Sequence, residues 1–139
     1  MSSDKQIGLL LVDDDPTVLY LIQLLLADRA ATIAFTTPES AYEYFAYNHH
    51  YIDCILMDYS LGRGEHSTGI HLLQRITEFC QQKHLALKPT VLLSGYTADT
   101  FSQPPIWDRF VTKPFDGAYL WANILGAISV RSNANASRL

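Results

Sequence analysis

The run Leu9-Leu10-Leu11-Val12-Asp13-Asp14-Asp15-Pro16 constrains this chain more than any other stretch. An unbroken apolar segment ends abruptly in three adjacent carboxylates, and a proline opens the next periodic stretch. A short apolar run bounded in this way predicts a strand buried on both faces of a parallel sheet. Asp15 is then placed to cap a helix, with Pro16 at its first position. Three carboxylates at the C-terminal end of one strand repel one another and cost folding energy, so something cationic is expected beside them. In an open α/β sheet that end of the strands is also where ligands bind. The plain alternative is a solvated acidic turn plus a helix cap.

The rest of the chain repeats the device. Ile7 to Val12 is the first strand, and Pro16 to about Arg29 a helix richer in leucine than an isolated surface helix needs. Thr32 to Phe35 predicts a second strand, followed by the cap Thr37, Pro38 and the early acid Glu39. That second helix turns Ala41, Tyr42, Phe45 and Ala46 toward the sheet and stops near His49-His50. Ile52 to Asp58 is again an apolar strand ended by an aspartate, and the polar stretch from Tyr59 to Thr68, with Gly62 and Gly64, reads as a loop. A third helix follows Gly69 with Ile70, Leu72, Leu73, Ile76 and Phe79 at helical spacing, running to about Lys83. Thr90 to Leu93 is the fourth strand, ending in Ser94. Thr97 to Phe101 suits one or two helical turns, which Pro104-Pro105 must end. Arg109 to Thr112 is a short fifth strand leading into Lys113-Pro114, and Asp116 starts a last helix through Tyr119, Leu120, Ile124, Leu125 and Ile128. Strands alternating with helical segments predict an α/β fold: a three-layer, doubly wound, five-stranded parallel sheet of order 2-1-3-4-5. The domain is expected over residues 1–130, with a polar tail over 131–139.

Bulk properties narrow the function classes. The 139 residues make one domain with 48% apolar and 17% charged content. A net charge of -4 gives no electrostatic case for nucleic acid. No stretch has the pattern of a signal peptide or the length to cross a membrane. Cys54 and Cys80 suit a reducing cytoplasm and suggest no disulfide framework. His49, His50, His66, His71 and His84 lack a metal-binding spacing.

In the expected topology the ends of strands 1 and 3 are neighbours at the switch point. Asp13, Asp14 and Asp58 should converge there, joined by Ser94 and Lys113 from strands 4 and 5. Mg²⁺ takes oxygen ligands, usually a carboxylate or two plus phosphate and water. Such an ion neutralises the carboxylates and a transferring phosphoryl group, while a lysine and a hydroxyl hold phosphoryl oxygens. A carboxylate nucleophile then gives an aspartyl-phosphate.

Asp13-Asp14, Asp58, Ser94 and Lys113-Pro114 at successive strand ends resemble the receiver domain of two-component response regulators, of the single-domain, chemotaxis-regulator-like kind. The resemblance spans roughly residues 7 to 130 and implies the flavodoxin-like receiver fold. By that resemblance Asp58 accepts a phosphoryl group from a histidine kinase or histidine phosphotransfer protein. Catalysis extends only to the protein's own phosphorylation and dephosphorylation. The resemblance has Asp14, Asp58 and the backbone carbonyl of Ser60 bind Mg²⁺ directly, and Asp13 mainly through water. Tyr59, Ser94, Gly95 and Lys113 face the phosphoryl group, and Ser94 with Phe110 forms the switch. Phe110 lacks the phenol hydroxyl often found at that position, so switching there is steric. Trp107, Tyr119 and Trp121 mark a partner surface for a downstream effector or a homodimer. No output domain follows within the chain, so it is expected to be a stand-alone regulator or a receiver cut from a larger protein.

Besides the missing output domain, two departures from the family pattern stand out. The loop after Asp58 carries Gly62 in place of the usual proline, and its customary glycine is delayed to Gly69. The fourth helix is stunted by Pro104-Pro105. Plainer readings also apply: Asp15 as a cap only, Ser94 alone as a turn residue, Lys113 alone as solvated, and Phe110 and a tryptophan as core. Two rival functions fit parts of the pattern. One is a degenerate receiver-like interaction module. The other is a haloacid-dehalogenase-like phosphatase using Asp13 as nucleophile and Asp15 as acid, which leaves Asp58 idle.

Overall fold

The computed structural model describes residues 6–61, 69–95 and 106–136. Five strands, β1 (Ile7–Val12), β2 (Ala30–Phe35), β3 (Cys54–Asp58), β4 (Thr90–Ser94) and β5 (Arg109–Thr112), form one sheet of order β2-β1-β3-β4-β5. All neighbouring pairs are parallel. Parallel strands need crossovers; among the described residues α1 (Pro16–Leu26), α2 (Pro38–Asn48) and α3 (Gly69–Gln82) supply the first three, and α4 (Gly117–Ala136) follows β5. The expected turns at Thr97 to Phe101, their stop at Pro104-Pro105, and Gly62 and Gly64 lie outside the described residues.

Because side chains alternate along a strand, the sheet makes two cores. Leu9, Leu11, Leu56, Leu93 and Val111 pack under Leu19, Ile22 and Leu26 of α1 and Leu120, Ile124 and Ala127 of α4. Leu10, Val12, Ile55, Met57 and Leu92 pack against Ala41 and Phe45 of α2 and Leu72, Leu73, Ile76 and Cys80 of α3. β1, β3 and β4 are buried on both faces, which is why they read as unbroken apolar runs. Cys54 and Cys80 are free and lie in opposite cores.

Local chemistry sets the boundaries. Asp15 accepts a bond from the Thr17 N–H at 2.9 Å, and Thr37 one from Ser40 N–H at 3.2 Å, so both expected caps form. Asp116 does the same for Tyr119 N–H at 2.7 Å. Four boundaries differ from the sequence reading. α1 stops at Leu26, before Arg29, and β2 begins at Ala30, earlier than Thr32, to pair with Ile7. β3 begins at Cys54 because the Asp53 carboxylate, not a ladder carbonyl, accepts the Gly8 N–H at 2.8 Å. The polar segment expected as a tail after residue 130 is helical to Ala136. Arg131 pairs with Asp108 at 2.8 Å and Asn135 donates to the Leu87 carbonyl at 3.3 Å, which holds that last stretch against the sheet. Among the described residues no helix is long and apolar enough to cross a membrane.

Candidate functional site

The parallel ladder continues one residue past three strand ends. Asp13 N–H donates to the Phe35 carbonyl at 3.2 Å, Tyr59 N–H to Leu93 at 2.8 Å and Lys113 N–H to Ser94 at 2.7 Å. Those bonds fix the backbone from which Asp13, Asp58 and Lys113 project. The Lys113–Pro114 peptide is cis.

On this rim Lys113 Nζ lies 2.9 Å from Asp58 Oδ1 and 3.2 Å from Asp13 Oδ2. Carboxylate oxygens of Asp13, Asp14 and Asp58 lie within 4.8 Å of one another. Asp13, Asp58 and Ser94 are buried, whereas Asp14 is open to solvent. Asp13 also accepts the Asp15 N–H at 2.9 Å. Asp15 itself is turned to the α1 cap, so its carboxylate is already engaged and the acid role required by the phosphatase reading has no support.

Among the described residues three acids face one base, and the electrostatics record the imbalance. Burial pushes Asp13 up to about 6 from the ordinary 3.8; the Asp15 N–H bond opposes this, the Asp58 charge adds to it, and Lys113 opposes it. Asp58 is raised as well, first by burial, against the hydrogen bond and charge of Lys113. Burial alone would lower Lys113, but its bonds and charge pairing with Asp58 and then Asp13 leave it raised, hence firmly cationic. One ammonium cannot neutralise three carboxylates, and the open side at Asp14 leaves room for a divalent ion. The cluster can therefore coordinate a divalent metal: all its donors are hard oxygens, within one ion's reach.

Gly69 completes the rim. A Cβ there would run into the Asp58 carbonyl oxygen and lie 3.2 Å from Met57 Sδ, and Gly69 N–H donates to the Tyr59 carbonyl at 2.7 Å. The first residue of α3 is thus pressed against the backbone of Asp58, a packing role that the sequence signals only as a glycine preceding an amphipathic helix.

The remaining expected residues are placed as follows. Tyr59 is half-buried, and Ser60 and Gly95 are exposed beside the strand ends. Phe110 is half-buried with its ring 6.0 Å from Trp107, both against the α2–α3 core. Trp121 packs on the opposite core under the Arg29 guanidinium at 5.7 Å, while Tyr119 is 52% exposed. Trp107 and Trp121 therefore lie on opposite faces of the sheet and do not make one continuous aromatic patch.

Residues 9–125 match the family described as response regulator receiver domain. Solved structures agree on the fold. A CheY-like receiver domain protein from Methanospirillum hungatei superposes with a TM-score of 0.74 at 17% identity, covering 94% of this chain and 99% of that one. A response regulator from Burkholderia pseudomallei, solved with a phosphorylated aspartic acid and calcium, gives 0.68 at 18% identity over 96% of this chain and 76% of that one. The receiver domain of a Saccharomyces cerevisiae response regulator, solved with a histidine phosphotransfer protein, gives 0.73 at 18% identity over 86% of each chain. No curated protein matches the sequence. With the strand order, the acid cluster and the matched residues in agreement, this chain belongs to the response regulator receiver domain family.

Proposed function

We propose that Asp58 accepts a phosphoryl group from the phosphohistidine of a histidine kinase or histidine phosphotransfer protein, and that the phosphorylated state is read by a partner. The observation that carries this reading is the position of Asp58: buried at the sheet's ligand-binding end, bonded to Lys113, and within reach of two further acids. In the transfer an Asp58 carboxylate oxygen attacks phosphorus, the phosphorus–nitrogen bond to the donor imidazole breaks, and its electron pair stays on nitrogen. Lys113 is placed to hold a phosphoryl oxygen once the charge on Asp58 is replaced by the acyl phosphate, and Ser94 flanks the other side. Asp14, Asp58 and the Ser60 carbonyl would hold Mg²⁺, with Asp13 acting through water. When bound, the ion offsets the carboxylate repulsion and the charge on the transferring group.

Two observations support a protein donor. The yeast relative was solved with a histidine phosphotransfer protein. In this chain α1, which starts at the acid cluster, has no charged residue and exposes Tyr20, Leu21 and Leu24, an apolar face suited to protein contact. Output would run through Ser94 and Phe110: the hydroxyl moves toward the phosphoryl oxygen and the half-buried ring shifts, altering the surface around Trp107 and Tyr119. The two free buried cysteines suit a cytoplasmic site of action.

Acetyl phosphate with Mg²⁺ should give one phosphoryl adduct by intact mass, absent in Asp58→Asn. Label retained in Asp58→Asn but lost in Asp13→Asn would replace this reading with the phosphatase chemistry.

A further inference from the structure

We propose that a second site, the cavity between the end of β2 and α2, receives the guanidinium of an arginine side chain from the protein that docks over Asp58. Identifying that protein as the phosphodonor rests on the function proposed above. The cavity measures about 330 Å³ and is lined by Phe35, Ser40, Glu43, Tyr44, Tyr47 and Asn48. Three aromatic rings and one carboxylate dominate this lining, and the Phe35 and Tyr44 rings stand 5.4 Å apart. On α2, Ser40, Tyr44 and Asn48 form one ridge at four-residue spacing, and Glu39, Glu43 and Tyr47 the next. Rings and acids are thereby interleaved. The helix carries two glutamates and no lysine or arginine, and among the described residues Glu43 enters none of the salt bridges.

That combination selects a planar cation. A guanidinium stacks on aromatic faces and offers a donor fork to a carboxylate, which a compact, strongly hydrated ammonium does not. The site is exposed, with Tyr47 78% accessible, and cation–π contacts and ion pairs at the surface are individually weak, so a free arginine binds there only weakly. Strong occupancy needs the guanidinium to be carried on a larger molecule that is already held elsewhere.

Position decides where. The Phe35 carbonyl accepts the Asp13 N–H at 3.2 Å, so the cavity's floor is bonded to the acid cluster itself. β2 lies two strands from β3, roughly 10 Å across the sheet, so the cavity and Asp58 share one rim. A partner burying about 800 Å² of this surface with its histidine over Asp58 would reach the cavity.

The test is a chemical-shift titration of the full chain with N-acetylarginine amide, its neutral citrulline counterpart and tetramethylammonium. Saturable shifts at Ser40, Tyr44 and Tyr47 are expected with the arginine probe, at least fivefold weaker with citrulline. They should vanish in Glu43→Gln and in Tyr47→Ala, while acetyl phosphate still labels Asp58 in both, which shows that both variants are folded. Equal response to citrulline, shifts that survive both substitutions, or tetramethylammonium binding as tightly as arginine would each overturn the proposal. Arginine binding in a chain that acetyl phosphate fails to label would instead overturn the phosphodonor as the source and support the cavity assignment.

Discussion

The two ends of the same five strands handle buried charge in opposite ways. At the N-terminal end, Asp108 pairs with Arg131 at 2.8 Å, accepts the Thr90 N–H at 2.9 Å and donates its own N–H to the Thr90 carbonyl at 2.9 Å. One acid meets one base, both largely buried, and the remaining carboxylate oxygen is used. At the C-terminal end, among the described residues, three carboxylates face a single lysine, and burial raises both Asp13 and Asp58. The paired end holds α4 to β4 and β5. Among the described residues the unpaired end is left with excess negative charge, which protonation or a bound cation can offset. Within one sheet, charges cancel at one end and are left uncancelled at the other, where the acid cluster can coordinate a divalent metal.

The contrast can be broken most directly at the paired end. Arg131→Ala should lower the unfolding free energy by about 3 kcal/mol, because it strands the buried Asp108 charge, yet leave acetyl phosphate labelling of Asp58 intact. Urea denaturation showing a loss under ~1 kcal/mol would mean that the pair is not structural and the two ends are alike.

Gly69→Ala probes the rim from below. The new Cβ would meet the Asp58 carbonyl, so a cost of about 2 kcal/mol and slower labelling are expected together. Full stability with an unchanged labelling rate would show that the acceptor strand is not held by the start of α3.

Magnesium sharpens the comparison further. At ten times its dissociation constant it should add about 1.4 kcal/mol to stability. The gain should disappear in Asp14→Ala and persist in Arg131→Ala. A gain that Arg131→Ala removes and Asp14→Ala retains would place the ion at the wrong end of the sheet.

The same imbalance sets a pH dependence. Folding raises Asp13 from 3.8 to about 6, so between those values the folded state holds more protons than the unfolded one. Metal-free stability should therefore fall as pH rises from about 4 through 6, with Asp58 acting in the same direction. A shift of that size is worth up to about 3 kcal/mol, on the order of 10 °C in melting temperature, and Asp13→Asn should flatten the slope. A melting temperature that climbs across that window would contradict the charge imbalance assigned to the rim.

Pattern along the chain was enough to read the topology and the chemical inventory of the rim. β1, β3 and β4 lie inside a parallel sheet, and such strands must be apolar on both faces, so each polar residue that ends one is conspicuous. Asp13, Asp58 and Ser94 stood out for that reason, and the caps Asp15, Thr37 and Asp116 followed from local chemistry. Contacts between residues far apart in the chain could be settled by the folded sheet alone. It paired Lys113 with both Asp13 and Asp58, pressed Gly69 against Asp58, and separated Trp107 from Trp121 across the sheet. It also carried the polar end of α4 to Ala136, against an expectation of fraying, because Asp108 and the Leu87 carbonyl are within reach of Arg131 and Asn135. Local pattern reports how each residue meets its immediate neighbours along the chain. Whether a polar residue ends as tail, cap or ion-pair partner depends on what the folded sheet brings beside it.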